Sequence, residues 1–318
     1  MTQPTKRKAC LSRILAVILL CTLLVGLSPT GIAEHVLAES ASSAANKMSN
    51  SSTHSPLLVS QAGTVAASKV HYTNKVAVLM YHDFKEDAKA KAISLKVFQE
   101  QLTTLTKNGF KFISMDEFKA FKLNKGKVPA NAVLLTFDDG YEDFYTVAYP
   151  YLKEKKIPAT NFLIVRSTDT GNPGGNPHIT WDQMREMLPN KMSFYSHTYN
   201  QHFYIPNGGP ALTSRYPAAS GKRAETLAEY RKRVTDDLSL ANKRIRDELG
   251  TKTDVFSYPY GAYNKETQTI SAKVGHKLDV TIKPGLNGPA GTLVYRINAG
   301  YKSISGNDLI TKIKGYTK

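Results

Sequence analysis

Two aspartates, Asp138 and Asp139, stand side by side in the stretch TFDDG, directly after the apolar run Val133–Leu135. Like charges this close raise each other's cost of ionisation unless something positive lies between them. A bound cation is the simplest candidate, and it needs further ligands from elsewhere in the chain. His197 and His202, in SHTYNQH, are five positions apart. On a helix that spacing would turn them about 140° from each other, so they can share an ion only from a loop or turn. Taken alone, such a pair belongs more often to a surface or a core; an aspartate pair at a neighbouring strand end favours ligation.

The runs Val76–Tyr81, Phe110–Ser114, Val133–Phe137, Ala159–Val165, Met192–Ser196, Val255–Tyr258, Leu278–Ile282 and Val294–Ile297 predict short strands. Amphipathic stretches separate most of them. From Ala224 to Leu249, Leu227, Tyr230, Val234, Leu238, Ala241, Ile245 and Leu249 recur at helical spacing, with Gly250 as the stop. Asn264–Val274 predicts a second helix, capped by Asn264 and ended by Gly275. Seven or eight parallel strands alternating with helices predict an α/β fold closed into a barrel. His82 follows the first strand, Asp138 and Asp139 the third, His197 the fifth, and Pro259–Tyr260–Gly261 the sixth. All lie past C-terminal strand ends, where barrel active sites are built.

A basic leader with Lys6, Arg7, Lys8 and Arg13, an apolar run from Ile14 to Leu27 and the small-residue stretch ending at Ala38 predict that residues 1–38 are a signal peptide or N-terminal anchor. Residues 39–74 are expected to form a flexible Ser/Ala-rich linker, and residues 75–318 the catalytic domain. Both cysteines, Cys10 and Cys21, fall in the leader, so the domain must fold without disulfides. Removing the leader lowers the formal charge from +16 to about +13. Outside a cell such a balance favours association with anionic wall polymer or lipid headgroups over nucleic acid, although a basic solvated surface with no dedicated partner fits equally.

TFDDG, SHTYNQH and SYPYG together resemble the signature motifs of the polysaccharide deacetylases of carbohydrate esterase family 4, over roughly Val76 to Ile297. The five-residue histidine spacing and the early VLMYHDF resemble the biofilm branch, the poly-β-1,6-N-acetylglucosamine N-deacetylases of intercellular adhesins. Most members of the family space the histidines four apart and carry an acid histidine near the C-terminus. His276, which follows Gly275 ahead of a strand, does not match that late motif.

The resemblance implies a distorted (β/α) barrel, a metal held by Asp139, His197 and His202, and Asp138 as general base. Chemistry agrees: two neutral imidazoles and a carboxylate leave a divalent ion open positions, as in catalytic zinc sites. Zinc is the expected ion, with cobalt or nickel as alternatives. The branch implies His82 as the acid that protonates the departing amine, and the family implies the backbone N–H of Tyr260 as an oxyanion donor. Tyr258 stands where an arginine usually orients the base, and Arg296 or a lysine could substitute. Tyr199, Phe203, Tyr204 and Trp181 are candidates for stacking on sugar rings or for packing beneath loops, and the loops Thr168–His178 and Ile205–Gly221 are candidates for groove walls. The implied substrate is an extracellular N-acetylglucosamine polymer acted on by a secreted, wall-associated monomer. Peptidoglycan or chitin-type polymer is the alternative substrate, and a non-catalytic wall-binding module the alternative class.

Overall fold

The computed structural model describes residues 69–86, 92–206, 208–218 and 223–317, so the expected leader and most of the expected linker lie outside the described residues. In chain order the first half contains β1 (Val76–Tyr81), α1 (Leu95–Lys107), β2 (Lys111–Phe112), α2 (Met115–Leu123), β3 (Ala132–Phe137), α3 (Tyr149–Lys155), β4 (Ala159–Leu163), α4 (Val165–Thr170), α5 (Trp181–Met187) and β5 (Met192–Ser196). The second half contains α6 (Leu227–Leu249), β6 (Val255–Ser257), α7 (Lys265–Lys273), β7 (Leu278–Val280), β8 (Leu286–Asn287), β9 (Leu293–Val294), β10 (Ile297–Asn298) and α8 (Gly306–Gly315).

β1 and β3 are buried along their whole length, and both read as apolar runs, interrupted only by Thr136, whose hydroxyl donates to Leu79 O at 2.7 Å. Their alternate residues serve two cores. Val76, Val78, Ala132 and Leu134 join Phe162, Val255 and Leu278 in one cluster, and Ala77, Leu79, Val133, Leu135 and Phe137 pack with helix residues such as Phe98 and Leu102 in another. The first is the barrel interior, the second the layer between barrel and helices.

Eight parallel strands run in the order β10-β1-β3-β4-β5-β6-β7-β9, with β2 added in parallel on β3 and β8 antiparallel on β1. The two ends of that order belong to one stretch of chain. β9 pairs with β7, β10 pairs with β1, and Tyr295–Arg296 cross between them. Asn287 of β8 ties this crossing to the first strand, donating Nδ2 to Tyr295 O at 2.8 Å and Val76 O at 3.3 Å, and accepting Tyr295 N–H at 2.9 Å. The expected closed α/β barrel is therefore found, nearly closed and distorted where its last strand breaks in two.

The differences from expectation have local causes. Only Lys111–Phe112 of the second expected strand pairs, because Ser114 instead caps α2, its hydroxyl accepting Glu117 N–H while the Glu117 carboxylate accepts the Ser114 N–H. α6 begins at Leu227 rather than Ala224 because Thr226 and Glu229 form the same reciprocal cap. α7 has the expected Asn264 cap. Packing also starts before residue 75: Tyr72 is buried, stacks edge-on against Phe110 and donates its hydroxyl to Ala132 O at 2.7 Å. No helix among the described residues is long and apolar enough to cross a membrane.

Candidate active site

The paired register of β1 and β3, which sets Tyr81 opposite Phe137, brings the next residue of each strand to one rim. Asp138 N–H bonds to Tyr81 O at 3.0 Å, so His82 and Asp138 leave their strands together. Asp139 then adopts φ 75° and Gly140 φ 80°. Two left-handed residues in succession swing the chain around, so that the adjacent carboxylates face different partners. Asp tolerates this conformation better than most residues, at a cost of roughly 1–2 kcal/mol.

Asp139 faces the histidines. Its Oδ1 lies 3.3 Å from His202 Nε2 and 3.6 Å from His197 Nε2, and the atoms these three residues offer fall within 4.8 Å of one another. That oxygen is buried without a hydrogen-bond donor. His197 Nδ1 sits 2.8 Å from Ser257 O; a carbonyl only accepts, so Nδ1 carries the proton and Nε2 presents its lone pair to Asp139. Burial pushes the His197 imidazole down to about 4, with the neighbouring Asp138 carboxylate opposing that shift. An unsatisfied buried carboxylate oxygen beside two imidazole nitrogens, at least one of them neutral, is a donor set that fits a divalent cation.

Asp138 faces Arg296. The guanidinium donates Nη1 to Oδ1 and Nη2 to Oδ2, both at 2.7 Å, while its Nε donates to Thr281 O at 2.8 Å. Arg296 is 1% exposed. Burial alone would raise the Asp138 carboxyl, but the Arg296 charge, aided by His197 and the two hydrogen bonds, outweighs it and holds the group well below the usual carboxylate range. His82 approaches from the solvent side, Nε2 3.9 Å from Asp138 Oδ2, with its side chain 41% exposed. The backbone beyond it is pinned by Phe84 N–H to Asp143 Oδ2 at 2.8 Å.

Residues 125–278 match the family model for polysaccharide deacetylase. Over 222 residues the chain is 31% identical to YxkH of Bacillus subtilis, named as a polysaccharide deacetylase, with 70% of each protein covered. The chain belongs to the polysaccharide deacetylase family. It is also 27% identical over 232 residues to the poly-beta-1,6-N-acetyl-D-glucosamine N-deacetylase of Escherichia coli, matching 67% of this chain and about a third (34%) of that protein's length. Among solved structures, a de-N-acetylase from Aggregatibacter actinomycetemcomitans aligns with a TM-score of 0.68 at 26% identity, covering 75% of this chain and 100% of that one.

In this deacetylase the remaining motif residues divide between rim and scaffold. Tyr260 sits in the turn after β6 with φ 58°, its ring 4.4 Å from that of His202. The next residue must be glycine: a Cβ on Gly261 would lie 2.3 Å from Ile282 Cγ1. Tyr258, in the position of the usual arginine, is buried and donates its hydroxyl to Asp279 Oδ2 at 2.7 Å, so it has no part in orienting Asp138. His276 belongs to the same scaffold. Its ring nitrogens are taken by Ser271 Oγ at 2.8 Å and the Asn242 side chain at 3.0 Å, and Phe256 stacks on its face.

Of the candidate aromatic residues, Tyr204 is the most open, 57% exposed with its ring 4.7 Å from that of Tyr260. Trp181 is a packing residue, its indole N–H donated to Asp169 at 3.0 Å beneath the Arg244 guanidinium. Tyr199 packs against the barrel–helix core. Residues 207 and 219–221 of the second candidate groove loop lie outside the described residues.

Proposed function

We propose that this enzyme hydrolyses N-acetyl groups from an extracellular N-acetylglucosamine polymer, with poly-β-1,6-N-acetylglucosamine as the substrate. The observation that carries the reading is the division of the adjacent aspartates, one paired with a buried arginine and the other aimed at two imidazoles. Asp139, His197 and His202 are the residues that would hold the ion, zinc by preference for two nitrogens and one oxygen. When bound, such an ion supplies Lewis-acid chemistry and lowers the pKa of water toward about 7.

Asp138, kept ionised by Arg296, takes the proton of the water whose oxygen attacks the acetyl carbonyl carbon. The carbonyl π pair moves onto oxygen, where the Tyr260 backbone N–H is the donor assigned to it. As the pair returns, the C–N bond breaks; His82, open to solvent, is the acid assigned to give a proton to the departing nitrogen. Acetic acid and a free amine result; the acid gives its proton to solvent and leaves as acetate, Asp138 gives up the proton it took, and His82 regains one from solvent. The E. coli and A. actinomycetemcomitans relatives are named as N-deacetylases, which supports the amide as the bond cleaved. A leader at residues 1–38 and a basic surface support export and loose attachment to anionic wall material.

The test is acetate release from defined β-1,6-, β-1,4- and peptidoglycan-type N-acetylglucosamine oligomers, with Asp138→Asn and Asp139→Asn beside the wild type. Asp138→Asn is expected to keep its metal and lose about 10²- to 10⁴-fold in rate, the usual worth of a general base. Asp139→Asn is expected to lose metal. The reverse pattern would exchange their roles, release only from a β-1,4 polymer would replace the substrate, and no release from any oligomer would leave a binding module.

A further inference from the structure

His197 directly follows a strand, but His202 lies five residues further along irregular backbone. Fixing each residue of such backbone costs conformational entropy, so a ready-made ligand pair needs outside restraint. Part of it is local. Thr198 takes φ 77°, Ser196 Oγ accepts its N–H at 3.0 Å, and Thr198 Oγ1 accepts Gln201 N–H at 3.0 Å.

The rest comes from two side chains one turn apart on α6. Asp237 is buried and accepts Tyr199 N–H at 2.9 Å, Asn200 N–H at 2.8 Å and Gln201 Nε2 at 3.3 Å. Arg233 donates Nη1 to the other end of the same amide, Gln201 Oε1, at 2.6 Å. It also donates to Ala211 O at 3.0 Å and Ser214 O at 2.9 Å, and Glu225 fixes its orientation through Nε and Nη2 at 2.8 and 2.9 Å. The turn before His202 is thus held by its backbone and by both ends of one side chain.

We propose that Asp237 and Arg233 form a positioning clamp that presets the His202 turn for metal capture, an inference that rests on the reading of Asp139, His197 and His202 as ligands. Neither residue touches the reacting atoms. Their effect falls on metal affinity, because a turn already in its liganded shape loses no further freedom when the ion arrives. Groups that orient metal ligands are typically worth about 10- to 100-fold in affinity.

The test is zinc titration of the chelator-stripped full chain against a chromophoric competitor, with thermal melting of each apo-protein. Asp237→Asn keeps the shape but turns an amide NH2 toward a backbone donor, and it is expected to weaken zinc binding about tenfold or more. Gln201→Ala removes both side-chain bonds while leaving the backbone bonds to Asp237, and should weaken binding by a smaller factor. Ser271→Ala, in the Tyr258–Asp279–His276 network, should lower the melting temperature and leave zinc affinity unchanged. Weakened binding in His197→Ala with wild-type affinity in both Asp237→Asn and Gln201→Ala would overturn the clamp alone. If Asp237→Asn does not fold, wild-type affinity in Gln201→Ala overturns it. Equal loss in Ser271→Ala would mark a general loosening and overturn it too. Equal zinc binding by wild type and His197→Ala would overturn the ligand reading and the clamp together.

Discussion

Replacing Arg296 with glutamine withdraws the positive charge that meets both oxygens of Asp138 at 2.7 Å, in a pair whose side chains are 0% and 3% exposed. Truncating one partner of a buried pair costs about 3–5 kcal/mol, because the other charge is left uncompensated. At roughly 2–4 °C per kcal/mol for a domain of this size, the melting temperature should fall on the order of 10 °C. The sign with pH follows from the direction of the Asp138 shift. A carboxyl held below its unfolded value contributes stability above that value, near 3.9, and loses it only as pH falls through the folded one. The deficit of Arg296→Gln should therefore be full at neutral pH and shrink below about pH 4.

The kinetic signature is more specific. Burial pushes the Asp138 carboxyl up and Arg296 is the strongest opposing influence, so its removal lets burial win. A neighbouring opposite charge is worth about 1–3 pH units, so the acid limb of kcat/KM for acetate release, which lies below about pH 4 in the wild type, should rise into the measured range in Arg296→Gln. The profile is measured from pH 4 to 10 with zinc saturating at each point. A lowered melting temperature with an unmoved acid limb would refute the reasoning, leaving Arg296 as a brace and some group other than Asp138 as the base.

His82→Ala should lose about 10²- to 10⁴-fold on N-acetyl substrates yet spare an activated aryl acetate, whose leaving group needs no proton, with zinc content unchanged. Equal loss on both substrates would make His82 a positioning group. Burial pushes Asp143 up to about 6, so its protonated form favours the fold below about pH 4 and that contribution is lost as pH rises through 6. Asp143→Asn, which still accepts Phe84 N–H, should accordingly stabilise the protein at pH 8 by on the order of 2 kcal/mol and change little at pH 4. A variant that melts lower at pH 8 would contradict this.

The barrel was legible because its strands are short apolar runs with a polar or glycine residue at each end, and the rim residues were legible because they follow those runs. Arg296 was harder to read. The sequence offered it beside any lysine, since its approach to Asp138 depends on the crossing at Tyr295–Arg296 and on Asn287, contacts between distant segments. Asp237 was missed although a signal existed. It falls on the buried stripe of α6 between Val234 and Leu238 and Ala241, where a carboxylate has no reason to be unless backbone donors meet it. The scaffold roles of Trp181 and His276 were not legible either, because each is decided by a polar partner remote in sequence, Arg244 for one and Asn242 for the other.

The seam of the barrel makes one segment responsible for two things. The residues that complete the ring of strands are also those that deliver the guanidinium to Asp138, and they come from the far end of the chain. A nascent polypeptide, emerging from its N-terminus, therefore carries both aspartates and both histidines for some time before anything holds the base in its ionised state. The pairing of β10 with β1 spans more than two-thirds of the sequence, and contacts of such separation are in general slow to form. The guanidinium and the last strand therefore stand or fall together: Arg296 is the residue immediately before Ile297, whose pairing with Leu79 closes the ring.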